Sequence, residues 1–191
     1  MKALRHPPSD WRLVKLLQYL STSWKLRLYG VRFGRGVHLR GVKVLNIGRI
    51  EVGDHCRLGS HPNDSPEVTN LRTYFPTATI RIGNHVGLAG TTLHCNASIT
   101  IADHCRCGPG VILCDNDSHR VARSVEERAM SPAAAPIVLE ENVWLGMRTI
   151  VLKGVTIGAN TIVAAGSVVT RSLPGNVIAG GVPARVIRPL D

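Results

Sequence analysis

The run Ile137-Val138-Leu139-Glu140-Glu141-Asn142-Val143-Trp144-Leu145-Gly146-Met147-Arg148-Thr149-Ile150-Val151-Leu152-Lys153-Gly154-Val155-Thr156-Ile157-Gly158 places an apolar residue at every sixth position. The series Leu139, Leu145, Val151, Ile157 continues through Val163 and Val169. A second series lies two positions earlier: Ile137, Val143, Thr149, Val155, Thr161 and Ser167. Turn-forming residues fall between them, as in Glu141-Asn142, Gly158-Ala159-Asn160 and Ala165-Gly166. Six residues overshoot one turn of an α-helix. A short strand followed by a tight turn, repeated, stacks each apolar residue on its equivalent in the next coil, so the spacing predicts an all-β solenoid.

Weaker copies occur upstream at Ile47-Gly48, Val52-Gly53-Asp54-His55, Ile82-Gly83-Asn84-His85 and Ile101-Ala102-Asp103-His104. The repeat thus spans residues 36–170, with two interruptions. Residues 61–79 are polar and carry Pro62, Pro66 and Pro76; residues 114–136 are charged and end in Ser131-Pro132-Ala133-Ala134-Ala135-Pro136. Both are expected to leave the solenoid as loops and to build a binding site. Residues 171–191 abandon the period, with Pro174, Gly180-Gly181 and Pro183, and are expected to cap the open strand edges.

Residues 1–35 read as a helical segment. Ser9 or Asp10 can cap it, and Trp11, Val14 and Leu17, then Leu13, Leu16 and Leu20, recur at helical spacing. Such a helix packs on its own protein or a partner subunit, or it lies on an anionic membrane through residues 9–29, where Lys25 and Arg27 interleave with Trp24, Leu26, Leu28 and Tyr29. Arg12, Lys15 and Gln18 break the apolar stretch, so it reads as neither a signal peptide nor a transmembrane span. The expected location is the cytoplasm, including the inner membrane face.

Aromatic residues make up only 4% of the chain, which suits a core of β-branched and small side chains. The formal net charge of +10 favours anionic partners: nucleic acid, a phosphorylated cofactor, an acidic glycan or a lipid surface. No nucleic-acid motif accompanies the charge, and none is expected to bind. The five cysteines Cys56, Cys95, Cys105, Cys107 and Cys114 contain no C-x-x-C pair and read as reduced, again favouring the cytoplasm. His55, His85 and His104 follow Asp or Asn at one phase of the repeat and are assigned to the scaffold. His119 lies in an interruption and stands apart.

The stretch Ile137–Arg188 resembles the hexapeptide-repeat acyltransferases, in the maltose, galactoside and polysaccharide O-acetyltransferase branch. The matching runs are Asn142–Gly146, Leu152–Gly158, Ala164–Thr170 and the tail Ala179–Arg188. The resemblance implies a left-handed parallel β-helix, a homotrimer, and acetyl-CoA as acyl donor. It places the catalytic histidine on His119, in Cys114-Asp115-Asn116-Asp117-Ser118-His119, and Trp144 beside the acceptor and thioester. It places Ala165, Thr170, Arg171, Arg185 and Arg188 along the coenzyme A groove, where guanidinium groups suit phosphate. The asparagine that the galactoside branch uses to hold its acceptor is missing from Gly87-Leu88-Ala89-Gly90-Thr91.

Transfer to a hydroxyl needs a base and correct placement of two substrates. His119 is the expected general base, with Asp117 or Asp115 holding its other ring nitrogen and a backbone N–H near Met147 stabilising the oxyanion. The expected acceptor is a sugar hydroxyl of a surface polysaccharide or its precursor. Alternatives are a small acceptor (antibiotic, amino acid or amino sugar), a non-catalytic scaffold, and a zinc hydratase of the γ-carbonic anhydrase type using His85, His104 and His119. The hydratase lacks its histidine spacing here, and no metal site is expected.

Overall fold

The computed structural model describes residues 26–59 and 68–191. Most of the helical segment expected over 1–35 lies outside the described residues. Residues 26–28 are helical, and Leu26 is buried against the first coil.

The chain winds through six coils of three strands. The first is β1 (Val31–Phe33), β2 (His38–Arg40) and β3 (Val42–Asn46); the second is β4 (Arg49–Val52), β5 (Arg57–Gly59) and β6 (Thr69–Thr73). Then come β7 (Thr79–Ile82), β8 (Gly87–Ala89) and β9 (Thr92–Cys95), followed by β10 (Ser98–Ile101), β11 (Arg106–Cys107) and β12 (Ile112–Cys114). The fifth coil is β13 (Ile137–Leu139), β14 (Trp144–Leu145) and β15 (Ile150–Leu152); the sixth is β16 (Thr156–Ile157), β17 (Ile162–Val163) and β18 (Val168–Val169). Two final strands, β19 (Val177–Gly181) and β20 (Ala184–Pro189), close the C-terminal end.

Each strand pairs in parallel with its equivalent one coil away, giving three faces of a prism. Sheet A is β1-β4-β7-β10-β13-β16, sheet B is β2-β5-β8-β11-β14-β17-β19-β20, and sheet C is β3-β6-β9-β12-β15-β18. The fold is a left-handed parallel β-helix. Leu139 pairs with Ile157, three hexapeptides on, so one hexapeptide is one side of the prism. Both predicted ladders point inward: Leu139, Leu145, Val151, Ile157, Val163 and Val169 line the sheets, while Val143, Thr149, Val155, Thr161 and Ser167 fill the corners, all buried. Threonine and serine are tolerated there because their hydroxyls bond to corner carbonyls, as Thr149 Oγ1 does to Gly146 O at 2.8 Å and Ser167 Oγ to Ala164 O at 2.6 Å.

Two boundaries differ from the sequence reading. The solenoid begins at β1, inside the segment assigned to the helix, because Val31 stacks on Ile50. Residues 61–79 are not one loop: β6 completes sheet C, with Thr69, Leu71 and Thr73 turned inward and Asn70 and Arg72 outward. Threonine at the inward positions hid a period of two from a count of apolar residues.

β20 turns back antiparallel on β19 and occupies the edge of sheet B. Four cysteines are buried in the core, and burial pushes the Cys95 thiol up to about 12, with the Asp115 charge adding to it. The three repeat histidines form a column on the edge between sheets A and B. Their ring centroids are 5.2 Å (His55–His85) and 5.1 Å (His85–His104) apart, and each takes a left-handed backbone conformation at its turn.

Candidate active site

The second interruption leaves the edge between sheets C and A after Cys114 and returns at Ile137. Strand alternation turns Leu113 inward, Cys114 outward and Asp115 inward again. Asp115 is fully buried, and its carboxylate accepts from the N–H groups of Asn96 at 2.7 Å and Ala97 at 2.8 Å. Asp115 therefore does not line an acceptor site or hold His119, as sequence proximity had suggested. It anchors the root of the loop to the corner of the preceding coil.

Beyond it the two arms of the loop pair. Asn116 bridges Ala134, Asp117 N–H donates to Ala133 O at 3.1 Å, and Ala135 N–H donates to Asp115 O at 2.9 Å. A four-residue helix, α1 (Val125–Arg128), forms the outer part, with Ser124 as its N-cap accepting from Glu127 N–H. His119 follows a tight turn: Ser118 adopts a φ of 60°, its N–H donates to Asn116 Oδ1 at 2.9 Å, and His119 N–H donates to Asp117 O. This turn leaves the imidazole exposed, and it has no hydrogen-bond partner among the described residues. The Asp117 carboxylate is taken instead by Lys153 Nζ at 2.7 Å. Asp117 thus holds the loop to the next coil, not the imidazole, and Lys153 is a residue that sequence reasoning missed. It sits at the same edge one coil on, a placement visible only once coils are stacked.

Another pair lies at the foot of the loop. His94, outward on β9, accepts or shares a proton with the Tyr74 hydroxyl at 3.0 Å through Nδ1, and the rings are parallel with centroids 6.0 Å apart. Burial, then the charge of Arg72, hold the His94 imidazole below the ordinary histidine range.

The remaining candidates lie elsewhere on the prism. Trp144 opens β14 on sheet B between Arg106 and Ile162, and the residue is 53% exposed. Met147 and Ala165 meet on the edge between sheets B and C, where Gly166 N–H donates to Met147 O at 2.8 Å. Gly146 permits this approach, since a Cβ there would fall 2.6 Å from Ala165 N. The Met147 N–H has no acceptor among the described residues, as an oxyanion donor requires. Arg171 and Arg185 line one groove of ≈ 210 Å³ with Ser172, Pro174 and Val186. Thr170 is exposed next to that groove. Arg188 lies outside it, with its guanidinium 3.1 Å from the Asp191 carboxylate.

His119 and Met147 therefore occupy the two edges that flank sheet C. At about 3.3 Å per residue, the three-residue strand β12 sets the width of that face at about 10 Å. His85 and His104 sit on the remaining edge. Among the described residues no three metal-ligating side chains converge.

The family model for the bacterial transferase hexapeptide (six repeats) matches residues 136–171. The chain is 30% identical over 171 residues to the protein of Escherichia coli K12 named "Putative colanic acid biosynthesis acetyltransferase WcaF"; the match covers 89% of this chain and 75% of that one. It is 37% identical over 110 residues to the galactoside O-acetyltransferase of Lactococcus lactis, covering 53% of this chain and about half (52%) of that relative's length. The solved galactoside acetyltransferase in complex with coenzyme A shares the fold, with a TM-score of 0.58 and 23% identity over 98% of this chain and 74% of its own. The extent of the likeness to WcaF, together with the stacked hexapeptides, places this chain in the hexapeptide-repeat transferase family.

Proposed function

We propose that this chain is an acetyl-CoA-dependent O-acetyltransferase acting on a sugar hydroxyl, of a surface polysaccharide or its precursor. The observation that carries the reading is His119: an exposed imidazole with no hydrogen-bond partner among the described residues, on a hydrogen-bonded turn at the root of the long excursion. The relatives' names support acetyl transfer, and the length of the match to WcaF supports a polysaccharide acceptor.

In this reading, His119 takes the proton of the acceptor hydroxyl as its oxygen attacks the thioester carbonyl. Because about 10 Å of sheet C separates His119 from Met147 within one prism, the tetrahedral oxyanion accepts from the N–H of the partner subunit's Met147, pre-aimed by a turn that Gly146 and Ala165 fix. Collapse of the intermediate expels the coenzyme thiolate, which recovers its proton from the imidazolium. Asp117 acts as a positioning residue through Lys153. Arg171 and Arg185, converging on one groove, provide the charge for coenzyme phosphates, while Trp144 offers an exposed aromatic face for the acceptor or the pantetheine arm.

The reading includes a homotrimer, in which the His119 edge of one prism meets the Met147 edge of the next. It also includes a cytoplasmic location, with residues 9–29 touching the inner membrane face. Titration calorimetry with acetyl-CoA tests the donor. Binding that weakens as salt rises is expected, because phosphate contacts are screened; absence of binding at any salt contradicts the proposal.

A further inference from the structure

Charge is distributed unevenly along the solenoid. Residues 26–59, from the helical turn to β5, hold seven cations against two carboxylates. The equally long stretch 137–170, the last two coils, holds two of each. The excess is sharpest in the first coil: Arg27, Arg32, Arg35, Arg40 and Lys43 are all exposed, and no acidic residue occurs among 26–48. Strand alternation spreads them round the prism, with Arg32 outward on sheet A, Arg40 on sheet B and Lys43 on sheet C. Arg27, Arg40 and Lys43 have no carboxylate partner among the described residues, while Arg32, Arg49 and Arg81 share the single carboxylate of Glu51. Apolar side chains stand at the same end. Leu26 is buried and Asn46 Nδ2 donates to Tyr29 O at 2.9 Å, which pins the turn, yet Leu28 and Tyr29 are 68% and 58% exposed. Charge that merely blocked the open edge of a sheet could be of either sign and would not need exposed apolar neighbours.

We propose that the first coil is the surface by which this protein docks on an anionic lipid bilayer. The two features are those an interfacial contact requires. Guanidinium and ammonium groups are drawn to anionic headgroups, while an aliphatic and an amphipathic aromatic side chain enter the boundary below them. A soluble polyanion would use the cations and leave Leu28 and Tyr29 in water. Docking sets an orientation, with the first coil on the membrane and the solenoid axis rising from it. In a cyclic trimer the three first coils face the same way, so their contacts add. The excursion that carries His119 leaves after the fourth coil, three strand spacings from the first, which puts its root about 14 Å above the contact. Given the acetyl-transfer reading, on which this last step rests, the acceptor is a lipid-linked glycan precursor met at the membrane surface before its release.

Full-length protein is co-sedimented with vesicles of phosphatidylcholine alone and of phosphatidylcholine mixed equally with phosphatidylglycerol. Binding to the mixed vesicles is expected, weakening as salt rises, with affinity for phosphatidylcholine at least about tenfold lower. Two variants keep the fold, since every changed side chain is exposed. Arg32→Gln/Arg40→Gln removes charge that lies beyond residues 9–29, and Leu28→Ser/Tyr29→Ser removes the apolar pair. Each is expected to weaken binding at least about fivefold without shifting the melting temperature. Arg123→Gln/Arg128→Gln, an equal loss of charge on the excursion, is expected to leave binding unchanged. Equal binding to both vesicle types, binding undiminished by the two first-coil variants, or an equal fall in the excursion variant overturns the proposal. A fall with Arg32→Gln/Arg40→Gln alone, matched by competition from dextran sulfate, assigns the coil to a soluble polyanion and overturns it as well. Acetyl-CoA titration of the same samples reads the donor side separately, so failure of docking and failure of the transfer reading are distinguished.

Discussion

Lys153 Nζ and Asp117 Oδ1 lie 2.7 Å apart and tie the turn that presents His119 to the coil below it. Both side chains are partly exposed, at 35% and 25%, so the pair adds at most about 1 kcal/mol to stability. Its larger consequence is positional. Replacing Lys153 by Met is expected to lower the turnover of acetyl transfer roughly tenfold to a hundredfold, with acetyl-CoA affinity unchanged and the melting temperature nearly so. Lys153→Arg should recover part of the loss. A fall in coenzyme affinity with turnover intact would instead assign Lys153 to coenzyme binding.

Thr91 is fully buried, and its hydroxyl has no hydrogen-bond partner among the described residues. The equivalent corner hydroxyls of Thr149 and Ser167 are bonded to carbonyls, so Thr91 carries a desolvation cost that they do not. Thr91→Val is expected to stabilise the solenoid by about 1 kcal/mol in urea denaturation. The same change at Thr149 is expected to destabilise it.

His94 makes stability pH-dependent in a defined window. Burial and Arg72 hold its folded-state affinity for protons below the ordinary value of 6.5, so the unfolded chain binds the proton more readily. The contribution is present above pH 6.5 and declines as pH falls through the lower folded value. Thermal melts of wild type and His94→Gln, recorded from neutral to mildly acidic pH, are expected to converge on acidification as the wild type loses that advantage. Parallel curves would show that His94 does not contribute.

Leu93 stacks between Leu71 and Leu113 in the innermost ladder of sheet C and is fully buried. Leu93→Ala is expected to cost about 2–5 kcal/mol, because neighbouring coils cannot close the gap without breaking register. Chemical denaturation measures it directly.

The chain order of sides and corners was legible because the inward residues of the last coils are all aliphatic or small and recur at six. The second coil was harder: in Thr69–Thr73 only Leu71 is apolar among the inward positions, and prolines flank the segment. At the site, sequence singled out His119, since it breaks the histidine pattern of the repeat. It misassigned Asp115 because closeness along the chain says nothing about which way a side chain points. Period-two alternation from Leu113 turns it into the core. Lys153 and Tyr74 gain their meaning from stacking, where residues far apart in sequence share one edge, and a single coil read alone does not carry that information.

The role of His119 as the base of an acetyl transfer is tested on its acceptor. Surface glycan or its lipid-linked precursor, extracted from a strain lacking this protein, is incubated with acetyl-labelled acetyl-CoA and either wild type or His119→Ala. Wild type is expected to transfer the label, and His119→Ala to be slower by a factor on the order of 10²–10⁴ while binding acetyl-CoA as tightly. A His119→Ala protein that transfers label at the wild-type rate would contradict it.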